Sequence, residues 1–309
     1  MKSHAKASRR GFFAAIIQWG YRERGAAWVF VLPFVIGFLI FNIIPMAYSV
    51  YISFMDYNSF KALNSIKFIG FDNYVRLFHD PIALNAFVKS FIYTVFYVPG
   101  LILLSFLVAT LLNRAFALRA LTRTLILMPY VANVVAVSIV WSILLDPFGG
   151  PVNQLLTKLG MDPPLWLSGV KTALPTIAGI NVWQSLAFQT IVFLAALQGV
   201  NKELYEAADI DGASRWRRLW SITLPVISPT TFFLVITSII GSFQNYASVR
   251  MLTNGGPGTS SRVISLNIYE EAFTLNHYSY ASAQAIILFA IVLVITIIQW
   301  KGQKRWVHY

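Results

Sequence analysis

Six apolar stretches of 20 or more residues, none containing an Asp, Glu, Lys or Arg, divide this 309-residue chain: Trp28–Phe54, Ser90–Leu112, Leu125–Leu145, Ala173–Gln198, Val226–Ser248 and Ala281–Trp300. About 20 such residues suffice for a helix to cross a hydrocarbon core roughly 30 Å thick. A charge at mid-membrane costs about 2.5–3.5 kcal/mol on insertion scales, so the charges mark the boundaries as firmly as hydropathy does. Only 12% of residues are charged, against roughly a quarter in soluble domains. The expectation is an all-α integral membrane protein with six transmembrane helices.

Lys and Arg then orient the chain. The N-terminal tail, the 113–124 loop, the 199–225 loop and the C-terminal tail hold sixteen, while the three alternate loops, longer in total, hold eight. By the positive-inside rule both termini are cytoplasmic. The net charge of +12 is thus spread over membrane flanks, with no compact basic face for nucleic acid. Residues 1–27 read as a cytoplasmic tail, and Gly11–Trp19, bracketed by Arg9, Arg10, Arg22 and Arg24, as an interfacial helix. Residues 28–300 form the six-helix domain and 301–309 a cytoplasmic tail. No small-residue cleavage site follows the first apolar run, so an uncleaved anchor is expected.

The chain has no Cys, and His4, His79, His277 and His308 share no helical face; neither a disulfide framework nor a metal site is expected. Asp72 can cap a short helix whose Tyr74, Val75 and Phe78 form an apolar stripe suited to the outer membrane surface. Asp146-Pro147-Phe148-Gly149-Gly150-Pro151 is a turn cluster that stops the third span, and Asn254-Gly255-Gly256-Pro257-Gly258 is another. The second invites comparison with a phosphate loop but lacks Lys, and no GxxxxGK[ST] occurs anywhere. Energy from ATP, if used, must come from a partner.

One polar island carries more. Glu206-Ala207-Ala208-Asp209-Ile210-Asp211-Gly212 is followed after nine residues by Ile222-Thr223-Leu224-Pro225. Read physically, it is either a solvated connection with an Asp211-Gly212 turn or a docking helix: Ala207 and Ala208 permit close approach, Gly212 a sharp reversal, and Ser214 can cap the next helix. This spacing resembles the EAA loop of the membrane subunits of bacterial ATP-binding-cassette importers. Phe68-Ile69-Gly70-Phe71-Asp72-Asn73-Tyr74, Asp146-Pro147, and Thr253-Asn254-Gly255-Gly256-Pro257-Gly258 before Leu266-x-x-Tyr269-x-x-x-Phe273 are similar to the sugar-permease branch that includes the maltose importer. The resemblance covers nearly the whole chain, with the core importer domain at about 86–300.

That resemblance implies a type I importer permease, itself not an enzyme. It works with a second homologous permease, two ATPase subunits that hold ATP and Mg²⁺, and an extracytoplasmic solute-binding protein, in the bacterial cytoplasmic membrane and its lipid. It also implies that Tyr205, Glu206, Ala207, Ala208, Asp209, Asp211 and Gly212 couple to the ATPase, with Glu206 as the polar contact. No cofactor is expected in this chain.

A polyhydroxylated solute needs amides, hydroxyls and an aromatic face. Mid-span polar residues are few: Gln184, Ser185 and Gln189 in the fourth span, Ser242, Gln244 and Asn245 in the fifth, with Phe188 and Tyr246 beside them. Gln184, Ser185, Phe188, Ser242 and Asn245 align with sugar-contacting positions of the maltose-type permease, although Ser242 stands where that permease has an amide. The other reading of the same groups is hydrogen bonding between helices. Charge-free spans offer no ion-coupling carboxylate and favour a sugar or oligosaccharide, neutral rather than anionic, with a glycerol-phosphate or polyol importer as the alternative. A secondary transporter would explain six spans without a role for the Glu206 loop. An enzyme would have to use Glu270-Glu271 with His277, a grouping that reads better as the flank of an outer helix.

Overall fold

The computed structural model describes residues 23–57, 66–113 and 119–303. The tail helix expected at 11–19 and residues 304–309 lie outside them. The described residues are helical, with one isolated antiparallel bridge, Met55 to Phe68.

Helix α1 runs from Glu23–Phe38 through a wider π-type turn, Leu39–Ile43, into Ile44–Ser53. The short α2 (Asp72–His79) follows, then α3 (Pro81–Asn113). The third apolar stretch is two helices, α4 (Arg119–Val131) and α5 (Val134–Leu144), bent by 100°. After α6 (Pro151–Lys158) come α7 (Ala173–Gln198) and α8 (Lys202–Ile210). Next are α9 (Arg215–Val226), which contains a π-type turn, and α10 (Ser228–Phe243), set at 67° to each other. The chain ends with α11 (Ala247–Thr253), α12 (Ile264–Tyr269, continuing as a π-type turn through Glu270–Thr274) and α13 (Tyr278–Gly302). Among the described residues four helices are long and apolar enough to cross a membrane, and counting each bent pair as one span gives up to six.

Two spans therefore differ from their apolar stretches. The third is not one rod: Asn133, in extended conformation, starts a new helix by accepting the Val135 N–H at 2.8 Å. Pro129 has already removed one ladder bond upstream. The fifth does not run from Val226 to Ser248. Pro225 lies inside α9, the span begins at Ser228, and it stops at Phe243, so Gln244, Asn245 and Tyr246 form a break before α11.

The α3–α7 pair forms the centre of the bundle. Lipid tails are as apolar as Leu, so contact between spans comes from close packing rather than water exclusion. Small residues provide it: Ala86, Ser90, Ser105 and Ala109 are buried along α3, and Ala173, Ala178 and Ala187 along α7. A core at the Glu206 end joins Ala109, Leu112, Phe193, Leu194, Leu197, Ile227 and Leu234. A second at the opposite end joins Tyr93, Val137, Ile177, Val249 and Leu266. By contrast α1 packs chiefly on α13 and buries no apolar side chain, only Ser53; Phe30, Phe34 and Phe41 face outward. Ala109→Leu should overpack the α3–α7 seam and cost about 1–3 kcal/mol, read as a lower melting temperature in detergent; an unchanged melting curve would show that the seam is loose.

Asp72 is the first residue of α2 and makes no capping hydrogen bond, because Phe71 occupies the cap position. Of the expected stripe, Val75 and Phe78 are exposed. Tyr74 is tied down, its hydroxyl 2.8 Å from Ser53 Oγ, while Asn73 Nδ2 donates to the Ser53 carbonyl at 2.8 Å. The Asp146 cluster turns as expected, with Asp146 Oδ1 accepting the Phe148 and Gly149 N–H groups at 2.9 and 3.1 Å.

Just before α3, Asp80 accepts the Ile82 and Ala83 N–H groups and, at 2.6 Å, the hydroxyl of Tyr280, whose ring lies 4.0 Å under Arg76. Burial pushes the Asp80 carboxyl up, but these donors and Arg76 together hold it below the ordinary carboxylate value. A depressed folded pKa gives stability that is complete above the unfolded pKa and lost as pH falls through the folded one. Asp80→Asn should thus lower stability by about 1 kcal/mol at pH 7, discounted for partial exposure. The deficit should shrink once pH falls below about 3.8; a pH-independent deficit in thermal melts would assign the effect to shape alone.

Candidate functional site

The Glu206 loop folds as a built helix with both ends closed. Asn201 Oδ1 caps α8 by accepting the Glu203 N–H at 3.0 Å. At the other end Gly212 takes φ +68°, and Ala213 N–H reaches the Ala208 carbonyl at 2.9 Å while Gly212 N–H reaches the Asp209 carbonyl at 3.1 Å. This is a Schellman stop, which needs a residue tolerant of the left-handed region. Ser214 Oγ then caps α9 through Arg217 N–H at 3.3 Å.

The loop's residues divide by role. Tyr205 is half-buried in the core at this end, its hydroxyl 2.9 Å from Thr223 Oγ1. Asp209 is ion-paired with Arg218 on α9, and Ala208 is half-buried. Glu206, Ala207, Asp211 and Gly212 are exposed. So is Ile210, at 88% the most protruding apolar side chain of α8. Sequence reasoning passes over Ile210, although an isoleucine at the end of a polar island is the visible signal. A groove of about 640 Å³ lies beside the anchor, lined by Thr110, Tyr205, Trp216 and Leu219 among others.

Halfway along the bundle, the two breaks meet the fourth span. Gln184 Nε2 donates to the Ala132 carbonyl, freed by the α4–α5 break, at 3.2 Å. Phe188 stacks on Tyr130 just before that break, with centroids 6.0 Å apart. Ser185 Oγ accepts from Tyr97 at 3.0 Å, and Tyr97 stacks on Tyr93 at 5.4 Å. Asn181 Nδ2 donates to Tyr93 Oη at 3.0 Å and to Ser248 Oγ at 2.9 Å, and Ser248 donates to Asn245 Oδ1 at 2.6 Å. One polar seam therefore runs from Ser185 through α3 and α7 to Asn245 in the break.

Gln189 and Ser242 are placed differently. Gln189 is 6% exposed and donates to Ser238 at 3.0 Å; Ser242 is 2% exposed and shares a 2.7 Å hydrogen bond with Thr94. In this conformation both serve helix contacts and offer no surface to a solute. Gln184, Ser185, Asn245 and Tyr246 keep partial exposure, and Phe188 and Gln244 are exposed. Tyr93, Tyr97, Asn181 and Ser248 are not singled out by the sequence. Asn181, a mid-span amide one turn before Ser185, is the available clue.

The acidic grouping is used structurally: Glu270 pairs with Arg262, and His277 Nδ1 lies 2.8 Å from Glu271 Oε2. Among the described residues no three His, Cys, Asp or Glu side chains gather as a metal site.

Residues 78–301 match the family described as binding-protein-dependent transport system inner membrane component. The probable ABC transporter permease protein YesP of Bacillus subtilis is 35% identical over 295 residues, 93% of each chain. The sn-glycerol-3-phosphate transport system permease protein UgpA of Escherichia coli is 30% identical over 292 residues, 94% of this chain and 97% of its own. Among solved structures, a chain of a bacterial alginate ABC transporter, in complex with an alginate pentasaccharide-bound periplasmic protein, superposes with a TM-score of 0.80 at 28% identity. The match covers 91% of this chain and 94% of that one.

Proposed function

This chain belongs to the family of binding-protein-dependent transport system inner membrane components, and from that membership we propose how it works as an importer permease. It pairs with a second permease, rests on two ATPase subunits that hold ATP and Mg²⁺, and receives a sugar or oligosaccharide from an extracytoplasmic binding protein. The observation that carries this reading is α8: a capped helix, anchored by Tyr205, that presents Glu206, Ala207 and Ile210 to whatever lies below.

Closure of the ATPase pair pushes on α8. The push passes to α9 through the Asp209–Arg218 ion pair and the Tyr205–Thr223 hydrogen bond, and from α9 through its 67° bend into α10. At the far end of α10 stands the break at 244–246, so a rigid-body movement of α8 reaches the solute seam. Such transmission needs two global arrangements of the spans. The distribution of Lys and Arg supports cytoplasmic termini, on the same side as the 199–225 loop. Gln184, Ser185, Phe188, Gln244, Asn245 and Tyr246 line the solute path.

The named cargoes of relatives include glycerol 3-phosphate and the acidic polysaccharide alginate, so the solute class extends to anionic saccharides and polyol phosphates. The test is biochemical: the complex purified with its partners should hydrolyse ATP in a manner stimulated by the binding protein. Uptake that persists without any ATPase subunit would sink the reading.

A further inference from the structure

The sequence suggests a neutral solute because no span holds a charge, yet one stands just beyond the break at 244–246. Arg250, on α11, donates from Nη1 to the hydroxyl of Tyr246 at 3.0 Å, and its guanidinium lies 4.4 Å over the ring of Tyr269. Tyr246 and Tyr269 are themselves 4.4 Å apart, and Phe273, largely exposed, sits 5.1 Å beyond Tyr269. Tyr246 directly follows Asn245, the end of the polar seam.

Among the described residues, no carboxylate pairs with Arg250. Glu270, adjacent to Tyr269, is occupied by Arg262. An aromatic seat orients a guanidinium through the ring quadrupole, but it leaves the charge unneutralised. A guanidinium carries five N–H donors in a fixed fork suited to carboxylate or phosphate. Tyr246 takes one of them.

We propose that Arg250 receives an anionic substituent of the transported solute, a carboxylate, phosphate or sulfonate on a saccharide, while Tyr246, Tyr269 and Phe273 take the sugar's C–H face. This rests on the importer reading and narrows its substrate class. Tyr246 adjoins Asn245 in the chain, so the anion is held beside the point where the solute passes Asn245.

The absence of cysteine makes a charge probe direct. Phe273→Cys, in the assembled complex in membranes, is labelled with anionic sulfonatoethyl methanethiosulfonate and with its cationic trimethylammonioethyl counterpart. Arg250→Gln should lower the anionic-to-cationic rate ratio about tenfold, the size expected from one nearby unit charge acting oppositely on the two reagents, and Arg250→Lys should largely preserve it. Galacturonate should slow the labelling of the introduced thiol, galactose at equal concentration and ionic strength should not, and Arg250→Gln should remove the protection. A ratio insensitive to Arg250, a thiol sealed from both reagents, or equal protection by galactose would overturn the proposal. So would Arg250→Gln and Arg250→Lys complexes that both fail to assemble, since Arg250 would then be pairing with a partner subunit. The importer reading is scored separately, by stimulated ATP hydrolysis of the unmodified complex.

Discussion

Gly212→Pro is expected to reduce binding-protein-stimulated ATP hydrolysis and uptake by at least about tenfold, the effect of losing 1.4 kcal/mol or more. Gly212 has φ +68° and its N–H is bonded to the Asp209 carbonyl at 3.1 Å. Proline is fixed near φ −65° and has no N–H, so it can provide neither feature. The Schellman stop opens, α8 loses its defined end, and the Asp209–Arg218 link to α9 loses its geometry. Gly212→Ala is the graded control. Its added methyl meets no atom within 4 Å, so it bears only the left-handed backbone cost of about 1 kcal/mol and should retain most coupling. Glu206→Lys reverses an exposed charge without touching the fold and should weaken association with the ATPase while leaving thermal stability unchanged. Full activity in Gly212→Pro would show that α8 is not the input, and a melting temperature lowered in both Gly212→Pro and Glu206→Lys would locate the defect in folding.

The parts of this design visible in the sequence are those set by local chemistry. The Ser214 cap and the Gly212 reversal depend on residues within five positions of one another, and the six spans on unbroken apolar runs. The breaks at Asn133 and at 244–246 are hidden, because each lies inside a window that is apolar on average. What stabilises them is also distant: Gln184 takes the freed Ala132 carbonyl, and Ser265 Oγ donates to the Asn245 carbonyl at 2.7 Å. Tyr97 and Ser185, like Tyr93 and Asn181, are 88 residues apart. Periodicity places each on a span but not on a facing surface. Arg250 reads as a flank charge for the same reason: Tyr246 is a neighbour four positions away on any helix, but Tyr269, whose ring the guanidinium covers, is distant in sequence.

Asn245→Ala should lower uptake about tenfold or more while leaving the assembled complex and its melting temperature nearly unchanged, and two magnitudes decide why. Inside the bundle the side chain accepts one hydrogen bond from Ser248 at 2.6 Å, while its buried Nδ2, near Tyr93, makes none; the bond from Ser265 goes to the backbone carbonyl and survives the substitution. Even a side-chain hydrogen bond between spans averages only about 0.6 kcal/mol, and this one joins residues three apart in one segment, too little to dismantle a bundle held by the α3–α7 seam. An amide that binds solute acts on the transported species itself, where each 1.4 kcal/mol is a factor of about ten. Ser242→Ala supplies the contrast: that hydroxyl is buried against Thr94 at 2.7 Å, and its loss should register in stability before it registers in uptake. If Asn245→Ala abolishes assembly, or if Ser242→Ala reduces uptake as much at unchanged stability, the seam is helix packing throughout and the solute path runs elsewhere.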